Sequence, residues 1–574
     1  MSDSAAEVVV IGAGLAGLTA AVHLAERGVP VRLLETDHLY AGGRVWGGRP
    51  HPPPRPVGHP SPLSPAWGRG EGGGAGVGGE AYGAVTISHR GVTRTFYPEH
   101  GIHGLWNNYQ NLRAMLERFR IAPNIVLAKE QAWMHAEGER VQWSEVGSII
   151  TSATFPPPLH YLELFGHHRF LAMIGLRDWL SLPWVWRSLL LAVALDPFAR
   201  LIPLEGQALD DFFRGWSPRL RAMFSGLARS GLASTPEKIS LAAFIAAMRF
   251  YTVLRRDSLR FAYFASDPGM ELINPLVRRL CEHGGELLLG HAAETLTPHP
   301  GLSATPPPSP NGTARRERGE GKGWGVRVET RRGARTIHAS HVILAADAPA
   351  ARRLLCESDA THAIADRLTW PEGLPNATVR VWLDKQPRDG PEGGIFTGDF
   401  SVDNFFWLDR FQREYGEWSA ATGGSAIEMH LYRSEKFFDQ PDAVILAHAL
   451  TDLYRAYPEL RGHALHQTLQ RNAAVHSRLI VDSADRWLGV ETPWPNLFAC
   501  GDWVRGPWPA LFLERACVSG LEAANAVLRA LDQEPFPLAD YDPPEWFAGK
   551  IQAWMLGGRA WLKSLRSSRP RQNL

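Results

Sequence analysis

A short run of apolar, β-branched residues, Val8 to Ile11, opens the pattern of the chain and is bounded by glycine, as a buried parallel strand would be. Leu15 to Arg27 then predicts a helix that Gly28 ends, and Val31 to Glu35 predicts the next strand. An opening of strand, helix and strand points to an α/β sheet. Much farther along, Gly269 to His283 predicts a helix, while Leu287 to Leu289 and Val342 to Ala345 predict further buried strands. The sheet is therefore expected to be discontinuous, assembled from separated stretches of chain.

Other stretches depart from this pattern. Gly47 to Ala81 is dominated by Gly and Pro, and Pro298 to Gly323 is poor in apolar residues. Neither can offset its ordering entropy by burial, so both are expected to be disordered inserts. They resemble each other: Ser64-Pro65 precedes Arg69-Gly70-Glu71-Gly72, and Ser309-Pro310 precedes Arg318-Gly319-Glu320-Gly321. Leu171 to Leu204 is apolar and carries Trp179, Trp184 and Trp186, but Arg177, Asp178, Arg187, Asp196 and Arg200 interrupt it. No charge-free run approaches the ~18 to 20 residues that a spanning helix needs. From Trp546 to Leu574 the chain sets Trp546, Trp554 and Trp561 among Lys550, Arg559, Lys563, Arg566, Arg569 and Arg571, without an acid. Aromatic anchors beside basic groups suit an anionic membrane interface.

Composition narrows the classes. With 574 residues, 45% of them apolar and 21% charged, the chain has room for several ordinary globular cores. Lys+Arg 60 nearly cancels Asp+Glu 59, so nucleic acid is not an expected partner. Cys281, Cys356, Cys500 and Cys517 lack the spacing of metal ligands or of a disulfide framework, and no metal is expected. Acids rather than bases mark the first residues, so no export signal is read and a cytoplasmic protein, peripherally bound to membrane, is expected.

The chemistry begins at Gly12-Ala13-Gly14-Leu15-Ala16-Gly17, where the first strand becomes a helix. The first glycine makes the tight turn, the second lets the backbone approach a pyrophosphate, and the third lets helix pack on strand. Glu35 ends the second strand, where a carboxylate can accept hydrogen bonds from a ribose. These features alone do not separate NAD from FAD. Gly42-Gly43-Arg44, close behind Glu35, resembles the paired-glycine segment of the FAD-dependent amine oxidase and carotenoid desaturase superfamily. A matching far end follows: Asn496-Leu497-Phe498-Ala499-Cys500-Gly501-Asp502-Trp503, then a helix expected over Glu514 to Arg529. By this resemblance the cofactor is FAD, Arg44 lies near the flavin, and Asp502 hydrogen-bonds the ribityl chain. Backbone N–H groups around Arg515 and Ala516 would face the pyrimidine edge of the flavin. Ala293 completes the cofactor-binding set that the resemblance implies.

The likeness extends further. Glu99 to Trp106, with Tyr109 and Asn111-Leu112, resembles the family segment that lines the flavin ring. Val379 to Asp384 resembles the Trp-x-Asp strand of plant-type phytoene and zeta-carotene desaturases. Trp418 with Ala421 to His430 is similar to the isorenieratene synthase branch, which turns a carotenoid ionone ring aromatic. Gly47 differs, standing where a small hydroxyl residue is common. The resemblance implies an α/β, FAD-binding Rossmann-like domain in pieces, an α+β substrate domain and a helical, membrane-contacting subdomain.

The expected ranges are 1–46, 261–350 (with insert 298–323) and 491–532 for the FAD domain, 47–81 for the first insert and 82–125 for a flavin-lining segment. The substrate regions are 126–260, which is largely helical, and 351–490, with a basic tail at 533–574. The implied reaction is dehydrogenation of a lipophilic isoprenoid, foremost a carotenoid, with an electron acceptor left open. Flavin supplies the oxidising power, so no dedicated triad is required. His103, Glu514 and Asp502 are candidates to steady a cationic ring. The alternatives are an amine oxidase, a squalene-type isoprenoid oxidoreductase, and a non-catalytic flavin or carotenoid carrier.

Overall fold

The first apolar run forms the strand Ala6–Ile11, whose side chains alternate between separate cores because successive Cβ atoms point to opposite faces. Val8 and Val10 pack with the helices Leu15–Glu26, Asn274–Glu282 and Phe512–Ala530, while Val9 and Ile11 pack with the helix Ala348–Glu357. A strand buried on both faces explains the unbroken apolar run. The computed structural model describes residues 6–45, 84–97, 99–198, 204, 206–232, 234–298, 323–388, 390–433, 435–477 and 487–567. The insert 47–81, nearly all of the insert 298–323, Gly47, and the basic residues of the tail beyond Lys550 lie outside what is described, wholly or in their side chains.

Parallel strands lie in the order Glu286–Leu289, Val31–Glu35, Ala6–Ile11, Arg335–Leu344 and Leu497–Ala499. Trp324–Glu329 and Ala292–Pro298 extend the sheet antiparallel along the first half of Arg335–Leu344. The sheet thus draws on distant parts of the sequence. The helices Ala348–Glu357 and Asp359–Ala365 pack on it, so the boundary expected at 350/351 falls later, before the strand Gly373–Leu383.

A second, seven-stranded sheet runs in the order Ala464–Ser477, Gly373–Leu383, Ser425–Leu431, Asn404–Trp407, Gly393–Gly398, Gln131–Glu137 and Arg140–Glu145. It is antiparallel except between Gly393–Gly398 and Gln131–Glu137. One face carries Val379, Val381, Ile427, Met429 and Phe405 and is covered by the helix Asp442–Ala456. The opposite residues on these strands, Thr378, Arg380, Glu428, His430 and Asn404, share the other face through direct cross-strand pairing. Although 126–260 was expected to be largely helical, it begins with the strands Gln131–Glu137 and Arg140–Glu145, which complete this sheet.

Helices Leu176–Ala194, Pro218–Leu232 and Leu241–Met248 build a further core. The last continues as a π-helical turn, Arg249–Val253, which carries Tyr251 and Thr252. A three-stranded sheet of Gly104–Trp106, Phe261–Phe264 and Ile125–Leu127 joins these parts. Phe261–Phe264 therefore lies outside the dinucleotide sheet to which the range from 261 was assigned. The helix Trp546–Ser567 packs on Leu176–Ala194. Among the described residues no helix is long and apolar enough to cross a membrane, and no cluster of His, Cys, Asp and Glu could hold a metal ion.

Candidate functional site

At the carboxyl end of Ala6–Ile11 the chain turns at Gly12, with φ +105° and its N–H donating to Leu34 O at 2.9 Å. A Cβ here would meet the Ala345 backbone at 2.9 Å, and one at Gly17 would stand 1.9 Å from Gly12 O. These glycines are packing constraints. Gly14, the N-cap of the first helix, differs, because a Cβ there meets nothing within 4 Å. The backbone at Gly14 thus borders open space beside the N–H groups of the first turn, around Leu15 and Ala16, as an anion site requires. Gly42, at φ +117°, donates its N–H to Ala13 O at 2.8 Å, and with Gly43 it lays the second glycine segment against the first. Glu35 accepts the N–H groups of Ala13 and Asp37, both at 3.0 Å. Burial pushes its carboxyl up, against the pull of those N–H groups.

The distant segment arrives on the other flank of Arg335–Leu344. Cys500 N–H donates to Leu344 O at 2.9 Å, and Gly501, at φ +140°, donates to Ser519 Oγ at 3.0 Å. Asp502 then meets Arg44, with Oδ2 accepting from the guanidinium at 2.7 Å. The helix behind it begins at Phe512, not Glu514, so the Arg515 N–H already bonds Leu511 O at 3.4 Å. The donors that this helix end offers lie earlier in its first turn. The Arg515 side chain instead laces the preceding loop, donating to Val504 O and Trp508 O. Ala516 lines the cavity described below, whereas Ala293 lies in the strand Ala292–Pro298, outside the lining.

Glu514, a candidate to steady a cation, is fully buried, with both oxygens engaged by the helix Gln110–Arg118. It accepts Asn111 N–H at 2.9 Å, Asn111 Nδ2 at 3.0 Å and Leu112 N–H at 2.9 Å. The carboxylate caps that helix and does not line the cavity, which removes it from the candidates for catalysis. His103 does line the cavity, with Nδ1 at 3.8 Å from Glu99 Oε2.

The cavity has a volume of about 800 Å³ and runs from the Gly12 turn, past Arg44 and Asp502, to the helical core. Its near end is polar and glycine-rich; its far arm is walled by Trp133, Phe165, Trp186, Phe224 and Phe244. Residues 100–528 match the flavin containing amine oxidoreductase family, and residues 7–55 match the FAD dependent oxidoreductase family. The chain belongs to the flavin containing amine oxidoreductase family. It is 27% identical over 539 residues to the carotenoid phi-ring synthase of Streptomyces griseus, covering 92% of this chain and 88% of that protein. A carotenoid phi-ring synthase of Chlorobaculum tepidum is 30% identical over 171 residues, 29% of this chain and 26% of that protein. Cyclohexylamine oxidase from Brevibacterium oxydans shares the fold, with TM-score 0.57, 13% identity, and coverage of 92% of this chain and all (100%) of that one.

The cofactor of this flavin amine oxidoreductase family member is FAD, and the cradle fits it. Open space at Gly14 suits the pyrophosphate, Glu35 would take the ribose, and Arg44 with Asp502 would stand beside the flavin. Bound there, FAD supplies a hydride acceptor.

A polar network on the cavity face of the second sheet escaped the sequence reading as a unit. Arg380 Nε donates to Glu428 Oε2 at 2.7 Å, and Glu428 Oε1 lies 2.5 Å from His430 Nε2. Arg380 also donates to Gln470 Oε1 at 2.9 Å and to the carbonyl of Glu99. Asn472 donates to His100 O at 3.0 Å, so the sheet holds the 99–104 segment from beneath. Burial works against a charge on Glu428, but Arg380 and His430 outweigh it and hold its carboxyl low. The available signal was the spacing of Glu428 and His430, two residues apart in a strand and therefore on one face. Tyr109 and Tyr251, whose hydroxyls meet at 3.2 Å, also line the cavity. Nothing in their local sequence pairs them.

The glycines should separate by function. Gly14→Val is expected to leave the melting temperature near that of the flavin-free parent while the purified protein loses its flavin absorbance. Gly17→Val should instead lower the melting temperature, because its side chain collides with the Gly12 carbonyl. Glu99 gives a pH test. Burial pushes its carboxyl up to about 7, with His103 pulling it down and Glu428 and Asp267 pushing it up. A folded-state pKa raised above the ordinary carboxyl value of 4.5 means that its contribution to stability is full below that value and lost as pH rises through about 7. Denaturant titrations of Glu99→Gln should therefore show a flatter loss of stability than the parent between those limits.

Proposed function

We propose that this flavoprotein dehydrogenates an end ring of a carotenoid to an aromatic ring, drawing its substrate from a membrane surface. The observation that carries the reading is the near full-length likeness to a carotenoid phi-ring synthase. The cavity supports it. Burying each methylene contributes ~0.8 kcal/mol, and the aromatic and aliphatic arm offers a polyene that burial beside the dinucleotide cradle. The amine oxidase alternative calls for a lysine near the flavin, and no lysine is among the described residues that line the cavity.

The outer face of Leu176–Ala194 supports collection at a membrane. Leu176, Leu180 and Trp184 recur every fourth residue and are 76%, 71% and 50% exposed. Beside them the helix Trp546–Ser567 exposes Trp546 and Trp554, with Lys550 Nζ 5.1 Å from the Trp546 ring. An exposed apolar face of this kind, flanked by a cation, suits the boundary between headgroups and acyl chains.

Mixed without oxygen with a carotenoid bearing a cyclohexenyl end ring, the yellow protein in excess should bleach, one flavin for every two hydrogens lost, and the pigment should gain an aromatic ring by mass. Amines should leave the flavin oxidised. Bleaching by amines alone would overturn the reading. Co-sedimentation with anionic vesicles is expected for the parent and should fall at least about tenfold for Leu180→Glu with Trp184→Glu. Unchanged vesicle binding would remove this face as the docking surface.

A further inference from the structure

Forming each new C=C bond in a ring takes a hydride and also a proton, so the reaction proposed above needs a base as well as an oxidant. The carboxylates that line the cavity lie at its dinucleotide end with other partners. Asp502 pairs with Arg44, Asp347 caps the helix Ala348–Glu357, Glu35 accepts the Ala13 N–H, and Asp37 accepts the N–H groups of Leu39 and Tyr40. On the substrate sheet the lining instead presents His430, held by the buried chain of charges behind it.

Resting on that reading of the substrate, we propose that His430 is the base that takes the ring protons, with Glu428 and Arg380 as its positioning residues. Glu428 Oε1, 2.5 Å from His430 Nε2, fixes the tautomer in which Nε2 carries the proton, leaving Nδ1 as the basic nitrogen. The Tyr432 hydroxyl lies 3.4 Å from Nδ1, and Tyr432 also lines the cavity. The imidazole abuts the 99–104 segment: a Cβ on Gly101 would stand 3.5 Å from His430 Cε1. A buried Arg–Glu pair contributes little net stability. Here its carboxylate, kept charged by Arg380, stabilises the imidazolium that forms when a proton arrives.

For each double bond the electron pair of one ring C–H leaves as hydride to oxidised flavin, the neighbouring C–H proton passes to His430 Nδ1, and its electron pair becomes the C=C bond. In the dehydrogenation that carries the methyl shift, the hydride leaves first, and the methyl migrates with its electron pair to the carbon left cationic, so that the charge moves to the carbon it leaves. The ring proton then lost goes to the same nitrogen. The ring is oxidised, the flavin is reduced, and the imidazolium returns its proton to solvent.

The test uses the FAD-loaded protein and the variants His430→Gln and His430→Ala. In a single anaerobic turnover with a carotenoid, both variants should bind the pigment within a few fold of the parent. Both should bleach the flavin at least about 100-fold more slowly, and added imidazole should restore part of the rate to His430→Ala. A readout without turnover uses nitrogen-15 histidine labelling and a carotenoid whose end rings are already aromatic. The resonance missing from whichever variant retains FAD should move in the parent when this pigment binds. Bleaching by either variant within about fivefold of the parent, or a bound pigment that leaves that resonance in place, overturns His430 as the base alone. A parent protein that neither binds nor is bleached by any carotenoid overturns the substrate reading and this one with it.

Discussion

The ion pair between Arg44 and Asp502 joins residues 458 positions apart, and the site depends on the geometry that lets them meet. Arg44 follows the turn that leaves the second parallel strand, and Asp502 follows Leu497–Ala499. The strands Ala6–Ile11 and Leu497–Ala499 flank opposite sides of Arg335–Leu344 in parallel, so the glycine turn and Asp502 emerge at the same edge of the sheet. Parallel pairing thereby converts remote segments into one cleft at strand ends, the position where open α/β sheets bind ligands. Cys500, hydrogen-bonded to Leu344, sets the height at which Asp502 enters.

Beyond that cleft the cavity changes character, because the second sheet is two-sided. Its outer face is an ordinary apolar core under the helix Asp442–Ala456, while its inner face carries a buried Arg380, Glu428 and His430. Such groups are stable only when fully partnered, and Gln470, Asn472 and the carbonyls of Glu99 and His100 supply the partners. The same bonds tie the 99–104 segment to the sheet, so the floor and the wall of the cavity hold each other. The helical core extends the space as an apolar arm, and its outer helix leaves a face of leucine and tryptophan toward solvent. One continuous space thus connects the cofactor cradle to the helix whose outer face exposes Leu176, Leu180 and Trp184.

The carboxylates show how residue type underdetermines role. Glu35, Glu99, Glu428 and Glu514 are all buried or nearly so, yet each answers to a different neighbour. Glu35 buttresses the glycine turn, Glu514 caps a helix formed from residues some 400 positions earlier, and Glu428 is held charged by Arg380. Glu99 accepts Gln412 Nε2 at 2.6 Å and has the imidazole of His103 at 3.8 Å, but burial outweighs the pull of that imidazole, so its carboxyl rises. The partner fixes the chemistry in each case.

By itself the sequence determined what depends on short range: the strand, glycine turn and helix at the start, the second strand ending at Glu35, and the paired glycines before Arg44. Backbone sterics at Gly12 and close packing at Gly17 demand those residues wherever such a turn occurs, so the pattern is legible without a fold. The far half of the cradle was legible through its own local pattern, although its helix starts at Phe512, earlier than the Glu514 that side-chain type suggested. Tertiary structure alone decided that Glu514 faces a helix rather than the cavity, that the Arg515 side chain holds a loop, and that Arg380, Glu428 and His430 form one chain of contacts. Those outcomes rest on which strands pair and in what register, and register is set by the burial of whole faces, which no local spacing encodes.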